Sequence, residues 1–119
     1  MRTKSRLRRT ISRWANPDEA EARDLRKEFG RAGVVSIEDA PDREPVRLRG
    51  TLRTVTLRPR GGVPALEAEL YDGTGVVTVI WLGRRRIAGI GPGRAIEVRG
   101  RVGSSDGTRI LYNPHYELL

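Results

Sequence analysis

Leu70-Tyr71-Asp72-Gly73-Thr74-Gly75-Val76-Val77-Thr78-Val79-Ile80-Trp81-Leu82 leads through Gly83-Arg84-Arg85-Arg86-Ile87-Ala88-Gly89-Ile90-Gly91-Pro92-Gly93 into Arg94-Ala95-Ile96-Glu97-Val98-Arg99-Gly100-Arg101-Val102-Gly103. An Asp-Gly turn opens the stretch and feeds a run of β-branched residues that ends near Trp81, the composition of a strand. A short basic bridge follows, then a Gly-Pro-Gly turn and a second strand with period-two alternation. Ile96, Val98 and Val102 form the inward set of that second strand. In the first, Val76, Val77, Val79 and Ile80 are all apolar, so alternation alone does not fix its phase.

Upstream, Val46, Leu48 and Leu52 alternate with Arg47, Arg49, Thr51 and Arg53, a strand with one buried face. Gly50 falls on the inward phase, where a missing side chain lets a long strand coil. Beyond Leu52 the apolar residues shift to Val55 and Leu57, a phase change that predicts a bulge. Arg58-Pro59-Arg60-Gly61-Gly62 forms the turn, and Ala65 to Tyr71 is the next strand. Its inward set is Leu66, Ala68 and Leu70, which leaves Glu67, Glu69 and Tyr71 outside. Downstream, Gly103-Ser104-Ser105-Asp106-Gly107 reads as a hairpin turn. A last strand runs from Thr108 to about Leu119, interrupted at Asn113-Pro114.

This succession of Asp-Gly turn, strand, bridge, turn and strand closed by Gly-x-Val resembles the central part of an OB-fold. It is most similar to the branch holding the anticodon-binding domains of class II tRNA synthetases and the OB modules of helicases and replicative polymerases. The resemblance covers about residues 45 to 118. It implies an all-β architecture, a five-stranded Greek-key OB barrel, with a short plugging helix between strands three and four over Gly83 to Gly89. It also implies that Val77, Val79 and Trp81 point inward. The expected organisation is a helical N-terminal extension and linker over residues 1–44, followed by the OB domain over 45–119.

In the extension, residues 2 to 13 hold Arg2, Lys4, Arg6, Arg8, Arg9 and Arg13 without an acid. Leu7, Ile11 and Trp14 share helical spacing, so the arm is either a basic surface for nucleic acid or a helix docked by its apolar stripe. Asn16-Pro17-Asp18-Glu19 is a helix start, with a cap, a first-turn proline and acids at the positive end of the dipole. Ala22, Leu25, Phe29 and Ala32 continue its apolar stripe. Val34-Val35-Ser36-Ile37 is a short apolar link that could cover the barrel's edge, and residues 38 to 45 read as a loop.

The chain has 119 residues, enough for one modest core, and a formal net charge of +8. A pI near 11.1 favours a polyanionic partner. Lys4 and Lys27 are the only lysines. Arginine's planar fork suits phosphate and base stacking, but a GC-rich genome produces the same substitution everywhere. Without cysteine there is no disulfide or thiolate site, and no run has the length of a membrane span. The expected location is cytoplasmic, with no membrane partner.

Gly89-Ile90-Gly91-Pro92-Gly93 has the glycine spacing of a phosphate loop but precedes a strand rather than a helix, and Pro92 lacks a donor, so it is a turn. Arg84, Arg85 and Arg86 form the densest basic run inside the domain. Arg58 and Arg60 flank the loop between strands one and two, and Arg101 and Arg109 flank the loop between four and five. In an OB-fold those loops are the jaws of the binding cleft, with Arg53 and Thr78 on the floor between them. Tyr71, Trp81, Tyr112 and Tyr116 are the candidate stacking platforms, with His115 as a flat polar partner, whereas the phase of Trp81 places it in the core. Glu67 and Glu69 stand where related domains present an aromatic or neutral residue, which favours binding through the backbone over stacking on that strand.

A single histidine, no cysteine and no carboxylate cluster at metal spacing argue against an enzyme and against a metal or other cofactor. The expected function is therefore non-catalytic binding of single-stranded DNA or RNA by an arginine-lined cleft. The alternative is a protein-interaction module that docks through its N-terminal helices or its acidic strand-two face.

Overall fold

The computed structural model describes residues 33–119. The expected basic arm and helix of the extension lie outside the described residues. Among the described residues seven strands form a single sheet: β1 (Pro45–Leu57), β2 (Ala65–Tyr71), β3 (Val76–Leu82), β4 (Ala95–Arg101), β5 (Gly103–Ser105), β6 (Thr108–Tyr112) and β7 (His115–Leu118). Their order is β5-β6-β3-β2-β1-β4-β7. All neighbours are antiparallel except β3 and β6, which run parallel.

Two features of the expected barrel are corrected. The sheet is open, not a closed five-stranded barrel, because no ladder joins β5 at one edge to β7 at the other. The cause lies in the last segment. Asn113 takes a left-handed backbone with φ 48°, and Pro114 has no N–H to offer a ladder. The segment therefore splits, with β6 adding to β3 and β7 crossing over to add to β4. Asn113 N donates to the Ile80 carbonyl at 2.7 Å and the indole Nε1 of Trp81 donates to the Pro114 carbonyl at 3.2 Å, so the crossing is pinned from both sides.

The second correction concerns the bridge between β3 and β4, which is not helical; among the described residues there is no helix. Gly83, Gly89 and Gly93 all have positive φ, at 76°, 83° and 86°. They leave too few residues between them to offset the cost of nucleating a helical turn. The plugging role falls to one side chain instead, Ile87, which is buried.

The main core lies on the inner side of the curved sheet, filled by Leu48, Leu52, Leu66, Ala68, Leu70, Val77, Val79, Trp81, Ile96, Val98 and Leu111. The alternation expected for β2 and β4 and the inward set of β3 are all present. Trp81 packs edge-on against Tyr116, with ring centroids 5.8 Å apart. Ile80, on the opposite face of β3, is buried too, in a small outer cluster with Ala65 and Ile110. A register shift between Leu52 and Val55 is the expected bulge.

The link ahead of β1 is part of this domain's packing. Ile37 and Ala40 are buried in the core, and Val35 N donates to the Arg47 carbonyl. The β2–β3 turn holds the link: Asp72 Oδ2 accepts from Ile37 N at 2.8 Å, and Thr74 Oγ1 accepts from Glu38 N at 3.1 Å. Asp72 also shapes its own turn, since its Oδ1 accepts from the Thr74 N–H and hydroxyl and from Gly75 N.

Candidate nucleic-acid interface

The outer faces of β1, β2, β3 and β6 form one surface, and register orders its residues in rows. One row crosses from the bulge through Glu69 and Thr78 to Ile110, and a second runs from Thr56 through Glu67 and Ile80 to Tyr112. A third holds Thr51, Tyr71 and Val76. Two residues, Arg53 and Thr54, lie in the bulge opposite Glu69, and both side chains reach the same carboxylate. Arg53 Nη2 lies 3.6 Å from Glu69 Oε1, and the Thr54 hydroxyl donates to it at 3.4 Å. The Arg53 guanidinium also sits over the Tyr71 ring, 5.0 Å from its centroid. The structure thus brings Arg53 and Thr78 onto one floor with the candidate platform Tyr71 and with Glu69, and adds Thr54 beside them.

Arg58 and Arg60 stand at the rim. Gly61 and Gly62, at φ 56° and 80°, turn the chain between Arg60 and Val63. Both arginines reach back to strand two: Arg60 Nη2 donates to Glu67 Oε1 at 2.6 Å, and Arg58 Nε lies 3.5 Å from Glu67 Oε2. The hydrogen bond to Glu67, with Tyr112 nearby, holds the Arg60 pKa above its ordinary value. Tyr112 is half exposed on the same row. Gly83 N donates to the Pro64 carbonyl at 2.7 Å, so the Arg84-Arg85-Arg86 run starts beside this rim. These three are exposed, and among the described residues they make no ion pair.

Two of the candidate arginines stand elsewhere. The Arg109 guanidinium donates to the carbonyls of Ile37 and Ala40 and lies 3.7 Å from Asp42. It clamps the link that Asp72 holds from the other side, a structural role instead of a place in the cleft. Arg101 ends β4 opposite Pro45 and belongs by register to the other outer face.

That other face, on β1 and β4, holds a cluster the sequence reading missed. Glu97 is 3% exposed and ringed by three arginines. Arg49 Nε donates to Oε1 at 2.8 Å, Arg47 donates to both oxygens at 3.3 Å, and Arg99 Nε lies 3.8 Å from Oε2. Burial alone would raise the Glu97 carboxyl, but the hydrogen bonds and charges of Arg49 and Arg47 outweigh it and hold its pKa below the ordinary value. The signal lay in register: Arg49 faces Glu97 directly across the β1–β4 ladder and Arg47 faces Arg99. Among the described residues no group of acids and histidine could hold a metal ion, and no helix is long and apolar enough to cross a membrane.

No family model matches the sequence, and no curated protein does. Solved structures do match. The fold is an OB-fold. An asparaginyl-tRNA synthetase from Entamoeba histolytica aligns with 75% of this chain at 11% identity and a TM-score of 0.61. RecG bound to a three-way DNA junction aligns with 73% at 21% identity and a TM-score of 0.58. The second OB-fold domain of replication protein A from Methanococcus maripaludis aligns with 73% at 12% identity and a TM-score of 0.57. The chain spans 95% of that isolated domain, but 23% of the synthetase chain and 12% of the RecG chain.

Proposed function

We propose that this OB-fold binds single-stranded nucleic acid, DNA or RNA, without catalysis, on the outer face of β1, β2, β3 and β6. The observation that carries the reading is the interleaving of cation and ring on one surface. Arg53 lies over Tyr71, Tyr112 is exposed two strands away, and Arg58, Arg60 and Arg84 to Arg86 edge the same face. Arginines meet phosphates along the rim while flat groups on the floor accept bases, the division of labour single-strand binding needs. RecG bound to a DNA junction and a domain of replication protein A, among the similar folds, support the choice of partner.

The test is titration of labelled single-stranded and double-stranded oligonucleotides at two salt concentrations. Each phosphate contact contributes about −0.7 to the slope of log affinity against log salt for single strands. Replacing Arg58, Arg60 and Arg84 together by Gln should flatten the slope by about 2, with the fold intact because all three are exposed. A triple variant that binds like the parent at both salt concentrations refutes the reading. A second reading, a protein-interaction module, is favoured by Glu67 already occupying Arg58 and Arg60. It expects weak oligonucleotide binding and a slope indifferent to these substitutions.

A further inference from the structure

We infer that Glu69 makes this surface selective for bases, with guanine preferred and thymine or uracil disfavoured. The inference rests on the proposed single-strand binding. The three glutamates of β2 and β4 differ in what they leave open. Glu97 is surrounded by arginines, and its side chain is only 4% exposed. Glu67 has Arg60 on Oε1 and Arg58 on Oε2, with its side chain 15% exposed. The Glu69 side chain is 41% exposed, and its contacts with Arg53 and Thr54 both fall on Oε1. Among the described residues, Oε2 accepts no hydrogen bond.

Position adds to availability. Glu69 lies in the middle of the floor, two residues from Tyr71 on the same face of β2, opposite Thr78. The Arg53 guanidinium lies over the Tyr71 ring and offers a planar cationic surface for a base beside the carboxylate. A base lying on such a platform presents its Watson–Crick edge sideways, toward Glu69. An ionised carboxylate only accepts hydrogen bonds. Guanine offers adjacent donors on that edge, N1–H and the N2 amine: one meets the open Oε2, and the other reaches Oε1 in competition with the Thr54 hydroxyl, whose contact there is long at 3.4 Å. Cytosine and adenine offer one exocyclic amine beside a ring nitrogen that is itself an acceptor. Thymine and uracil place two carbonyl oxygens around a single N–H, and these face the carboxylate with like polarity.

The experiment compares thymine oligonucleotides of about 12 nucleotides, a length within the span of one OB domain, in deoxy and uracil-containing ribo series. Each carries one central guanine, inosine, cytosine or no substitution, and binding to the full chain is read by fluorescence anisotropy. Guanine should bind at least about fivefold tighter than the unsubstituted strand, the lower end of what a bidentate base contact supplies. Inosine, which lacks the N2 amine, should fall between them. In Glu69→Gln the guanine preference should shrink to less than about twofold, the residue left once a bidentate match is broken, while thymine strands gain affinity. A glutamate that acts only by repelling phosphate would instead raise affinity for every strand alike and leave the ratios unchanged. Equal binding of guanine, inosine and thymine strands by the parent overturns the inference but leaves single-strand binding standing. Failure to bind any strand overturns both.

Discussion

The two halves of β1 both turn arginines outward, yet they build two different surfaces. From Pro45 to Thr51 the strand pairs with β4, and Arg47 and Arg49 converge on the buried carboxylate of Glu97. From Thr51 onward it pairs with β2, and Arg53 and Arg58 meet the more accessible Glu69 and Glu67. In the first half the acid is enclosed and its oxygens are filled, so the arginines are committed to the fold. In the second half the pairs are open to solvent, and a phosphate or a base can compete for their members. A row of outward arginines is thus no measure of a binding surface; the burial of the acid opposite decides.

The comparison breaks most visibly at Glu97. Glu97→Ala removes the carboxylate on which three arginines converge, with Arg99 Nε already buried and without a hydrogen bond. Because Arg47 and Arg49 keep partial access to water, the expected loss is about 2–3 kcal/mol, read as a lower unfolding midpoint in denaturant. The pH dependence has a definite sign. Glu97 and Asp72 both have folded-state pKa values below the ordinary carboxylate value. For Asp72 burial acts to raise it, and the N–H donors of Ile37, Thr74 and Gly75 with the Thr74 hydroxyl outweigh burial. Their stabilisation is therefore full above the unfolded-state pKa and is lost as pH falls through the depressed folded value. Melts of Glu97→Gln should show a smaller acid-induced loss than the parent. An identical acid limb would mean that the ring of arginines contributes nothing to the fold.

Gly50 is the joint between the two halves, one residue before Thr51, which pairs with both Ala95 and Tyr71. A Cβ there would lie 2.5 Å from the Tyr71 carbonyl oxygen and 3.2 Å from a Leu70 methyl. The first of these is backbone and cannot swing aside. Gly50→Val is expected to cost about 1–3 kcal/mol, by pushing β2 away from β1. It should also weaken oligonucleotide binding, because Glu69 and Tyr71 ride on the displaced strand. A variant with an unchanged melting midpoint would show that β1 does not need a bare position at its change of partner.

Much of this was legible in the sequence, for physical reasons that also explain the gaps. Period-two alternation fixed the inward faces of β2 and β4, and the phase slip after Leu52 marked the bulge. The helix between β3 and β4 was carried over from resemblance against the local evidence of three glycines, and the glycines prevailed. The opening of the sheet depended on whether Asn113-Pro114 bends a strand or splits it, and that is decided by tertiary partners such as Ile80 and Trp81. For the candidate site, residue type was informative and pairing was not. Arg58 and Arg109 look alike in the chain, yet one meets Glu67 on the outer face and the other clamps the carbonyls of Ile37 and Ala40. Long-range register, not local pattern, separates them.

The smallest expected effect is the sharpest test of the open half. Glu67→Gln removes the charge that holds Arg58 and Arg60 while keeping the shape of the side chain. Those arginines are exposed, and ion pairs in water-accessible positions contribute little to stability, so the melting midpoint should hardly move. Binding should respond more than folding does. A carboxylate about 4 Å from a phosphate's place opposes it by about 1 kcal/mol in water, so its removal should tighten binding about fivefold. Unlike Glu69→Gln, this gain should be the same for guanine, cytosine and thymine strands, because Glu67 restrains the arginines that meet the backbone and does not face a base. A gain confined to one base would move the reading role from Glu69 to Glu67. No gain at all would mean that Arg58 and Arg60 stay with the protein in the complex, and the phosphate contacts would then have to come from the run at Arg84 to Arg86.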